Sequence, residues 1–184
     1  MSIFDNRQVA AAVRTDQDFE DAMNSKVDII FLLFSNIMTI GAQIKKAHDH
    51  GKKILVHMDF TEGIGKDRAA LSYVKYQGAD GILTTKTNMI RPAKELGLIT
   101  VQRFFIVDSH SVDTAVDSIK IAKPDVVEIM PGVVAKKIKE FVSKVSGTPV
   151  LAGGLIETTE EVDKAIKAGA SAVSTADRDL WNYK

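Results

Sequence analysis

Eight short apolar runs, each separated from the next by a segment of helical period, constrain the fold of this chain most strongly. The runs cover residues 9–13, 29–34, 54–58, 81–84, 99–107, 126–130, 150–152 and 172–174. Short continuous apolar runs are typical of parallel strands that are buried on both faces. Because strands and helices alternate along the whole chain, the pattern predicts a parallel sheet with the helices packed outside it.

The segments between the runs contain helix-stop signals that repeat. Five of these segments end in glycine, the residue that most easily takes the left-handed conformation after a helix. The glycines are Gly51, Gly78, Gly97, Gly147 and Gly169. Thr158 and Glu161 have the spacing of a capping box at the start of a helix. Eight repeated units favour a closed (β/α)8 TIM barrel, a small single domain over residues 1–184, and an open doubly wound sheet is the alternative.

Composition excludes several classes of protein. Lys plus Arg (24) balance Asp plus Glu (24), so no overall charge attracts nucleic acid or membrane. The chain has no cysteine, hence no disulfide and no thiolate chemistry, and its apolar runs are far shorter than the roughly 20 residues that span a bilayer. We therefore expect a cytoplasmic protein that has no membrane partner.

The loops after the last two strands form the strongest candidate site. Functional groups of such barrels lie at the carboxyl ends of the strands, and a phosphate commonly binds after strands seven and eight. Gly153 and Gly154 follow the seventh run, and Ser174 and Thr175 end the eighth. They predict a phosphate site of backbone amides and hydroxyl groups. In the alternative reading the glycines only form a tight turn and Ser174 only caps the last helix.

Other polar residues at predicted strand ends could contact the rest of a ligand. His57 and Asp59 lie two residues apart on one strand face, so they could bind a metal, act as acid and base, or simply satisfy each other inside the barrel. No clear third metal ligand accompanies them, and we expect neither a metal nor another cofactor. The remaining candidates are Thr84, Lys86, Gln102, Arg103, Glu128 and Gly132. Gln102 and Arg103 are adjacent, so only one of them can point inward.

At these residues the sequence resembles the glycerol-3-phosphate-responsive antiterminator family, bacterial regulators of glycerol-uptake operons. The resemblance covers nearly the whole chain. It rests on Val56-His57-Met58-Asp59, Gly81-Ile82-Leu83-Thr84-Thr85-Lys86, Thr100-Val101-Gln102-Arg103-Phe104-Phe105, Val127-Glu128-Ile129-Met130-Pro131-Gly132, Ala152-Gly153-Gly154-Leu155-Ile156 and Ala172-Val173-Ser174-Thr175. Two positions depart from the family pattern: Lys86 stands where arginine is expected, and a polar loop start, Phe60-Thr61-Glu62-Gly63, replaces a more apolar one.

The resemblance implies a regulator and no catalysis. Such a protein binds glycerol 3-phosphate or a similar small phosphorylated polyol and, when loaded, acts on leader messenger RNA so that transcription passes a terminator. No RNA-binding motif is present, so the RNA partner rests on the resemblance alone. A phosphosugar isomerase, epimerase or aldolase remains the alternative function. The sequence leaves a homo-oligomer open; Phe4, Trp181 and Tyr183 are expected to seal the barrel bottom, with a subunit contact as the alternative.

Overall fold

The chain forms a closed barrel of eight parallel strands in a computed structural model that describes residue 4 and residues 8–145 and 147–183. The predicted domain limits, residues 1 and 184, lie outside the described residues. The barrel strands are β1 (Val9–Val13), β2 (Ile29–Leu32), β4 (Lys53–His57), β6 (Gly81–Thr84), β7 (Ile99–Phe105), β8 (Val126–Met130), β9 (Val150–Gly153) and β10 (Ala172–Thr175). Around the barrel they follow the order β1-β10-β9-β8-β7-β6-β4-β2, and β2 closes it against β1. The predicted TIM barrel is thus confirmed.

Seven α-helices within the described ranges surround the barrel. They are α1 (Asp16–Asn24), α2 (Ile40–Asp49), α3 (Arg68–Tyr76), α4 (Thr87–Glu95), α5 (Ser109–Ala122), α6 (Ala135–Lys144) and α7 (Thr159–Lys167). The five predicted glycine stops all have positive φ, from 69° to 107°. Thr158 and Glu161 form the predicted capping box of α7. None of the helices in this part of the chain is long and apolar enough to cross a membrane.

A short 3₁₀ turn, Asp179–Asn182, follows β10 where an eighth helix would otherwise stand. Trp181 of this turn is buried in the layer between sheet and helices, and its Nε1 donates to the carbonyl of Thr175 at 2.9 Å. The expectation that Trp181 seals the barrel bottom is therefore wrong, because the chain leaves the top of β10 and packs against the outer wall. Phe4, in contrast, packs with the residues of the barrel lumen.

Two strands of two residues each form a second, smaller sheet that the sequence pattern did not predict. β3 (Ser35–Asn36) pairs with β5 (Thr61–Glu62) in parallel. The residues belong to the loops that follow β2 and β4, so this pairing joins two neighbouring loops above the carboxyl ends of the barrel strands. Phe60, just before β5, stacks on the ring of His57 with centroids 4.2 Å apart.

The core has two parts because alternate residues of each strand face opposite sides of the sheet. The larger cluster contains residues from both the strands and the helices and lies outside the barrel. The smaller cluster contains no helix residue and fills the lumen: Phe4, Ala10, Ile29, Phe31, Leu55, Leu83, Val101, Val126, Leu151 and Ala172. Two residues further along four of these strands, toward their carboxyl ends, stand buried polar side chains: His57, Arg103, Glu128 and Ser174.

Candidate functional site at the carboxyl ends of the strands

A hydrogen-bonded chain of three buried side chains crosses the upper lumen. Arg103 and Glu128 are register partners on β7 and β8, and Arg103 Nε lies 2.5 Å from Glu128 Oε2. The other carboxylate oxygen of Glu128 accepts a hydrogen bond from the Ser174 hydroxyl of β10. Glu128 has no exposed surface and Arg103 is 4% exposed. A buried ion pair is maintained only when both charges remain compensated, so these residues form one unit.

His57 lies in the same upper layer of the lumen. Its side chain is 1% exposed, and neither ring nitrogen has a hydrogen-bond partner among the residues that the structure describes. Burial lowers the pKa of His57 to about 4, and the positive charge of Arg103 acts in the same direction. His57 is therefore a neutral imidazole at pH 7, held in place by the stacked Phe60 ring.

Asp59 organises the loop after β4. Its carboxylate accepts hydrogen bonds from Thr84 Oγ1 at 2.8 Å, from the Thr85 amide at 2.7 Å and from Thr85 Oγ1 at 2.8 Å. Burial alone would raise the pKa of Asp59, but these hydrogen bonds outweigh it and lower the pKa. Asp59 is an ionised carboxylate that joins the loops after β4 and β6.

Two lysines stand beside Asp59 at the rim. Lys66 donates to the backbone carbonyls of Met58 and Thr61. Burial lowers the pKa of Lys66, the negative charge of Asp59 counteracts this, and the positive charge of Lys86 adds to the lowering. Lys86 is exposed and immediately precedes α4, which begins without a side-chain cap. Lys66 was not predicted from sequence, because nothing in its loop showed that it folds back over β4.

A cleft of about 380 Å³ opens at the ends of β1, β8, β9 and β10. Its lining comprises Ala12, Arg14, Leu33, Met130, Gly154, Leu155, Ile156, Glu157, Ser174, Thr175, Ala176 and Asp177. Arg14 is the one cation in this lining, and its amide is fixed by Asp18 Oδ2 at 3.0 Å. Sequence analysis missed Arg14, although its position directly after the first strand was a signal that could have identified it.

The four residues predicted to hold a phosphate lie at or next to this cleft. They differ in backbone conformation and in the hydrogen bonds that they already make. Gly154 has a φ of +77°, so its peptide takes an orientation that other residues rarely adopt. Ser174 donates to Glu128, and Thr175 Oγ1 donates to the Ile156 carbonyl at 2.6 Å. Gly153 ends β9, and a Cβ atom there would lie 2.5 Å from Glu128 Oε1.

Gly132 brings two loops into direct backbone contact. Its amide donates to the Gly153 carbonyl at 2.6 Å and to the Gly154 carbonyl at 3.1 Å. A Cβ atom at residue 132 would lie 2.8 Å from the carbonyl carbon of Ala152 and from the amide nitrogen of Gly153. The loop after β8 therefore supports the turn after β9.

Two predicted site residues, Thr84 and Gln102, are not brought to the lumen, because these register partners on β6 and β7 face outward. The Nε2 of Gln102 donates to Thr87 Oγ1 at 3.0 Å and to Ser118 Oγ at 3.1 Å. Alternation along β7 directs Arg103 inward and Gln102 outward, so the question that the sequence left open is resolved in favour of Arg103. In the part of the chain that the structure describes, no group of three or more His, Asp or Glu side chains could hold a metal ion.

The neutral state of His57 predicts a dependence of stability on pH. Its pKa is about 4 in the folded protein against 6.5 for a free side chain, so between these values the unfolded chain binds more protons. Stability should therefore fall as the pH falls through this window, by about 2–3 kcal/mol between pH 7 and pH 4.5. Urea unfolding of the wild type and a His57→Leu variant across this range measures the effect.

The variant should lose this part of the pH dependence, whereas His110→Gln, which changes an exposed histidine, should keep it. Parallel pH profiles of the wild type and His57→Leu would show that folding does not lower the pKa of His57.

A closed (β/α)8 barrel with polar groups gathered at the carboxyl ends of its strands places this protein in the TIM-barrel class, whose members build their sites from the βα loops. The particular family follows from the sequence: a model described as glycerol-3-phosphate responsive antiterminator matches residues 9–181, and the chain belongs to this family. This confirms the family predicted from the motifs.

Individual proteins agree with this membership. The chain is 34% identical over 174 residues to the uncharacterized protein YgcP of Escherichia coli (strain K12). The matched region covers 94% of this chain and 91% of YgcP. A crystal structure of a glycerol uptake operon antiterminator regulatory protein from Listeria monocytogenes matches with a TM-score of 0.94 and 31% identity over both whole chains. A glycerol uptake operon antiterminator-related protein from Thermotoga maritima matches with a TM-score of 0.83 and 38% identity over 94% of this chain and 96% of that one.

Proposed function

We propose that this protein is a ligand-responsive transcription antiterminator that binds glycerol 3-phosphate or a similar small phosphorylated polyol. When loaded, it acts in the cytoplasm on the leader messenger RNA of glycerol-utilisation operons. The observation that carries the ligand proposal is the cleft in which Arg14, the turn at Gly154 and the end of β10 meet. The family supports the RNA part.

A phosphate suits this cleft for physical reasons. Arg14 supplies a guanidinium that can donate two parallel hydrogen bonds to phosphate oxygens. The positive φ of Gly154 lets the backbone amides of its turn approach an anion closely. Two carboxylates also line the cleft: Glu157, and Asp177, which accepts a hydrogen bond from the Asp179 amide at 3.0 Å.

The side chains of the upper lumen favour a ligand-binding function rather than catalysis on a phosphosugar. Proton transfer needs a group that can change its charge at the operating pH. Asp59 is held ionised by Thr84 and Thr85, and the pKa of His57 lies near 4. These two predicted acid–base candidates therefore keep their charge near pH 7, which suits ligand recognition rather than proton transfer.

Calorimetric titration with glycerol 3-phosphate tests the proposed site. We expect saturable binding, with glycerol and inorganic phosphate at least about tenfold weaker because each lacks one half of the interactions. Gly154→Asp should abolish binding, since it places a carboxylate beside the phosphate. Arg14→Met should weaken binding by about 10–100-fold, the range expected when a charge-assisted hydrogen bond is lost.

Gly51→Asp is the matched control, because Gly51 also has a positive φ but lies at the other end of the barrel with nothing within 4 Å of an added Cβ. Its affinity should equal that of the wild type. The site is assigned incorrectly if Gly154→Asp and Gly51→Asp bind equally well. A new product formed from glycerol 3-phosphate would instead establish the enzyme alternative.

The regulatory half of the proposal is tested by transcription in vitro through an operon leader and its terminator. Read-through should rise with added protein only when glycerol 3-phosphate is present, and the Gly154→Asp variant should give no rise. Read-through that is independent of the ligand would contradict a ligand-responsive regulator.

A further inference from the structure

A second groove opens at the foot of the barrel, the end at which the helices terminate and the strands begin. It has a volume of about 610 Å³ and lies among the ends of α4, α5 and α6. Its lining comprises Lys94, Val116, Ile119, Lys120, Lys123, Pro124, Lys144, Val145, Gly147 and Thr148. Four of these described residues are lysines and none carries a carboxylate, so ammonium groups surround the buried apolar side chains of Val116, Ile119 and Val145.

Carboxylates beside the groove pair with three of its lysines but hold them weakly. The pairs are Lys94–Asp125 at 2.8 Å, Lys120–Asp117 at 3.1 Å, Lys144–Asp113 at 2.9 Å and Lys144–Glu140 at 3.4 Å. All of these side chains are at least 31% exposed, and solvent screens ion pairs that are this exposed. The fourth lysine, Lys123, is exposed and belongs to no ion pair among the described residues. A phosphate group can therefore replace the carboxylates at little cost.

The whole surface formed by α5, α6 and the turns that follow them is positive. It carries six lysines, Lys120, Lys123, Lys136, Lys137, Lys139 and Lys144, and four carboxylates, Asp113, Asp117, Asp125 and Glu140. Lys94 of α4 adds a seventh lysine, and its neighbour Glu95 is already engaged by Arg68 and Arg91. We refer to these seven lysines and four carboxylates as the α5–α6 surface, which has an excess of three positive charges.

The loops at the mouth of the barrel have the opposite charge balance. They carry six carboxylates, Asp59, Glu62, Asp67, Asp108, Glu157 and Asp177, against four cations, Arg14, Lys66, Lys86 and Arg178. An RNA chain brings one negative charge with every nucleotide, so the mouth repels it, although a single phosphate group can bind locally at Arg14. The zero net charge of the protein thus divides into an acidic mouth and a basic α5–α6 surface.

We propose that the α5–α6 surface binds the backbone of the leader messenger RNA. Its lysines contact phosphate groups, which provides affinity without reading the sequence, and the apolar side chains of the groove pack against a ribose or a base. This inference rests on the proposed function for the RNA partner and adds the surface that contacts it. Because this surface is separate from the ligand cleft, the protein holds ligand and RNA at the same time.

Binding of the leader RNA of a glycerol-utilisation operon, measured by fluorescence anisotropy with saturating glycerol 3-phosphate, tests this surface. The groove variant combines Lys120→Gln, Lys123→Gln and Lys144→Gln. We expect it to bind at least about tenfold more weakly at about 150 mM KCl. The slope of log affinity against log salt concentration should become shallower by about 2, because each phosphate contact on a single strand contributes about 0.7. Lys123→Gln alone should change the slope by about 0.7.

The matched control removes three charges from the other lysine-rich part of the foot, through Lys45→Gln, Lys46→Gln and Lys53→Gln on α2 and at the start of β4. In the barrel order, α2 follows the strand opposite the one that precedes α6. The control should keep the wild-type slope and an affinity for RNA within about twofold of the wild type. Both triple variants should bind glycerol 3-phosphate as the wild type does, which shows that they are folded.

The possible outcomes separate this inference from the proposed function. Wild-type RNA affinity in the groove variant, or an equal loss in the two triple variants, overturns the α5–α6 surface and leaves the proposed function standing. If the groove variant binds RNA normally but gives no read-through in vitro, the surface contacts a protein of the transcription complex and the RNA assignment is wrong. If the loaded wild type binds no leader RNA, the RNA part of the proposed function fails as well, while calorimetry still measures the ligand site.

Discussion

Glu128→Gln should lower the free energy of unfolding by about 3–5 kcal/mol, the usual cost of leaving one partner of a buried ion pair uncompensated. The substitution preserves the shape of the side chain but removes the charge opposite Arg103, which cannot reach solvent because it is 4% exposed. Urea unfolding at pH 7 measures the change. Glu160→Gln, an exposed position on α7, should change stability by less than about 0.5 kcal/mol.

A double variant separates the charge from the packing. Arg103→Leu combined with Glu128→Leu removes both charges, and replacing a buried pair by apolar residues is often neutral or stabilising. We expect most of the lost stability to return. If the Glu128→Gln variant is as stable as the wild type, the Arg103 guanidinium must reach solvent or pair with another group, which would contradict this prediction.

Gly132→Ala should have the second largest effect, because the added methyl group has no space. Its Cβ would lie 2.8 Å from backbone atoms of Ala152 and Gly153 and 2.9 Å from Ile156 Cδ1. The backbone of β9 cannot withdraw without breaking the hydrogen bonds from the Gly132 amide to Gly153 and Gly154. We expect a loss of about 2–3 kcal/mol in stability, in the range for overpacked cores.

The same displacement should move the Gly154 turn and weaken glycerol 3-phosphate binding by at least about tenfold. Gly147→Ala is the control: a Cβ there meets nothing within 4 Å, so only the strain of its φ of +85° remains, about 1–2 kcal/mol, and binding should be unchanged. Wild-type affinity in Gly132→Ala would show that the two loops are independent.

Much of the barrel could be predicted from the sequence because its signals are local. Buried parallel strands need continuous apolar runs, and each of the eight predicted runs overlaps one barrel strand. The short β3 and β5 were not predictable, since two-residue strands carry no periodicity. The eighth unit also differed from expectation, because a single 3₁₀ turn carrying Trp181 covers the outer wall.

For the candidate site, the sequence by itself determined which residues stand at strand ends. Gly153 and Gly154 follow a run of apolar residues and Ser174 ends one. His57 and Glu128 lie inside two other runs, near their carboxyl ends, and parallel strands bring such ends to one face. That inference needs only the order of strands and loops along the chain. It holds without knowledge of any contact between distant residues.

Only the tertiary structure decided how these residues combine. The register between β7 and β8 sets Arg103 opposite Glu128 and directs Gln102 outward. The folding of the loops brings Lys66 over β4 and Arg14 to the rim of the cleft. These relations depend on strand register and on the reach of long side chains across the closed barrel, which are properties of packing between segments distant in sequence and leave no local pattern.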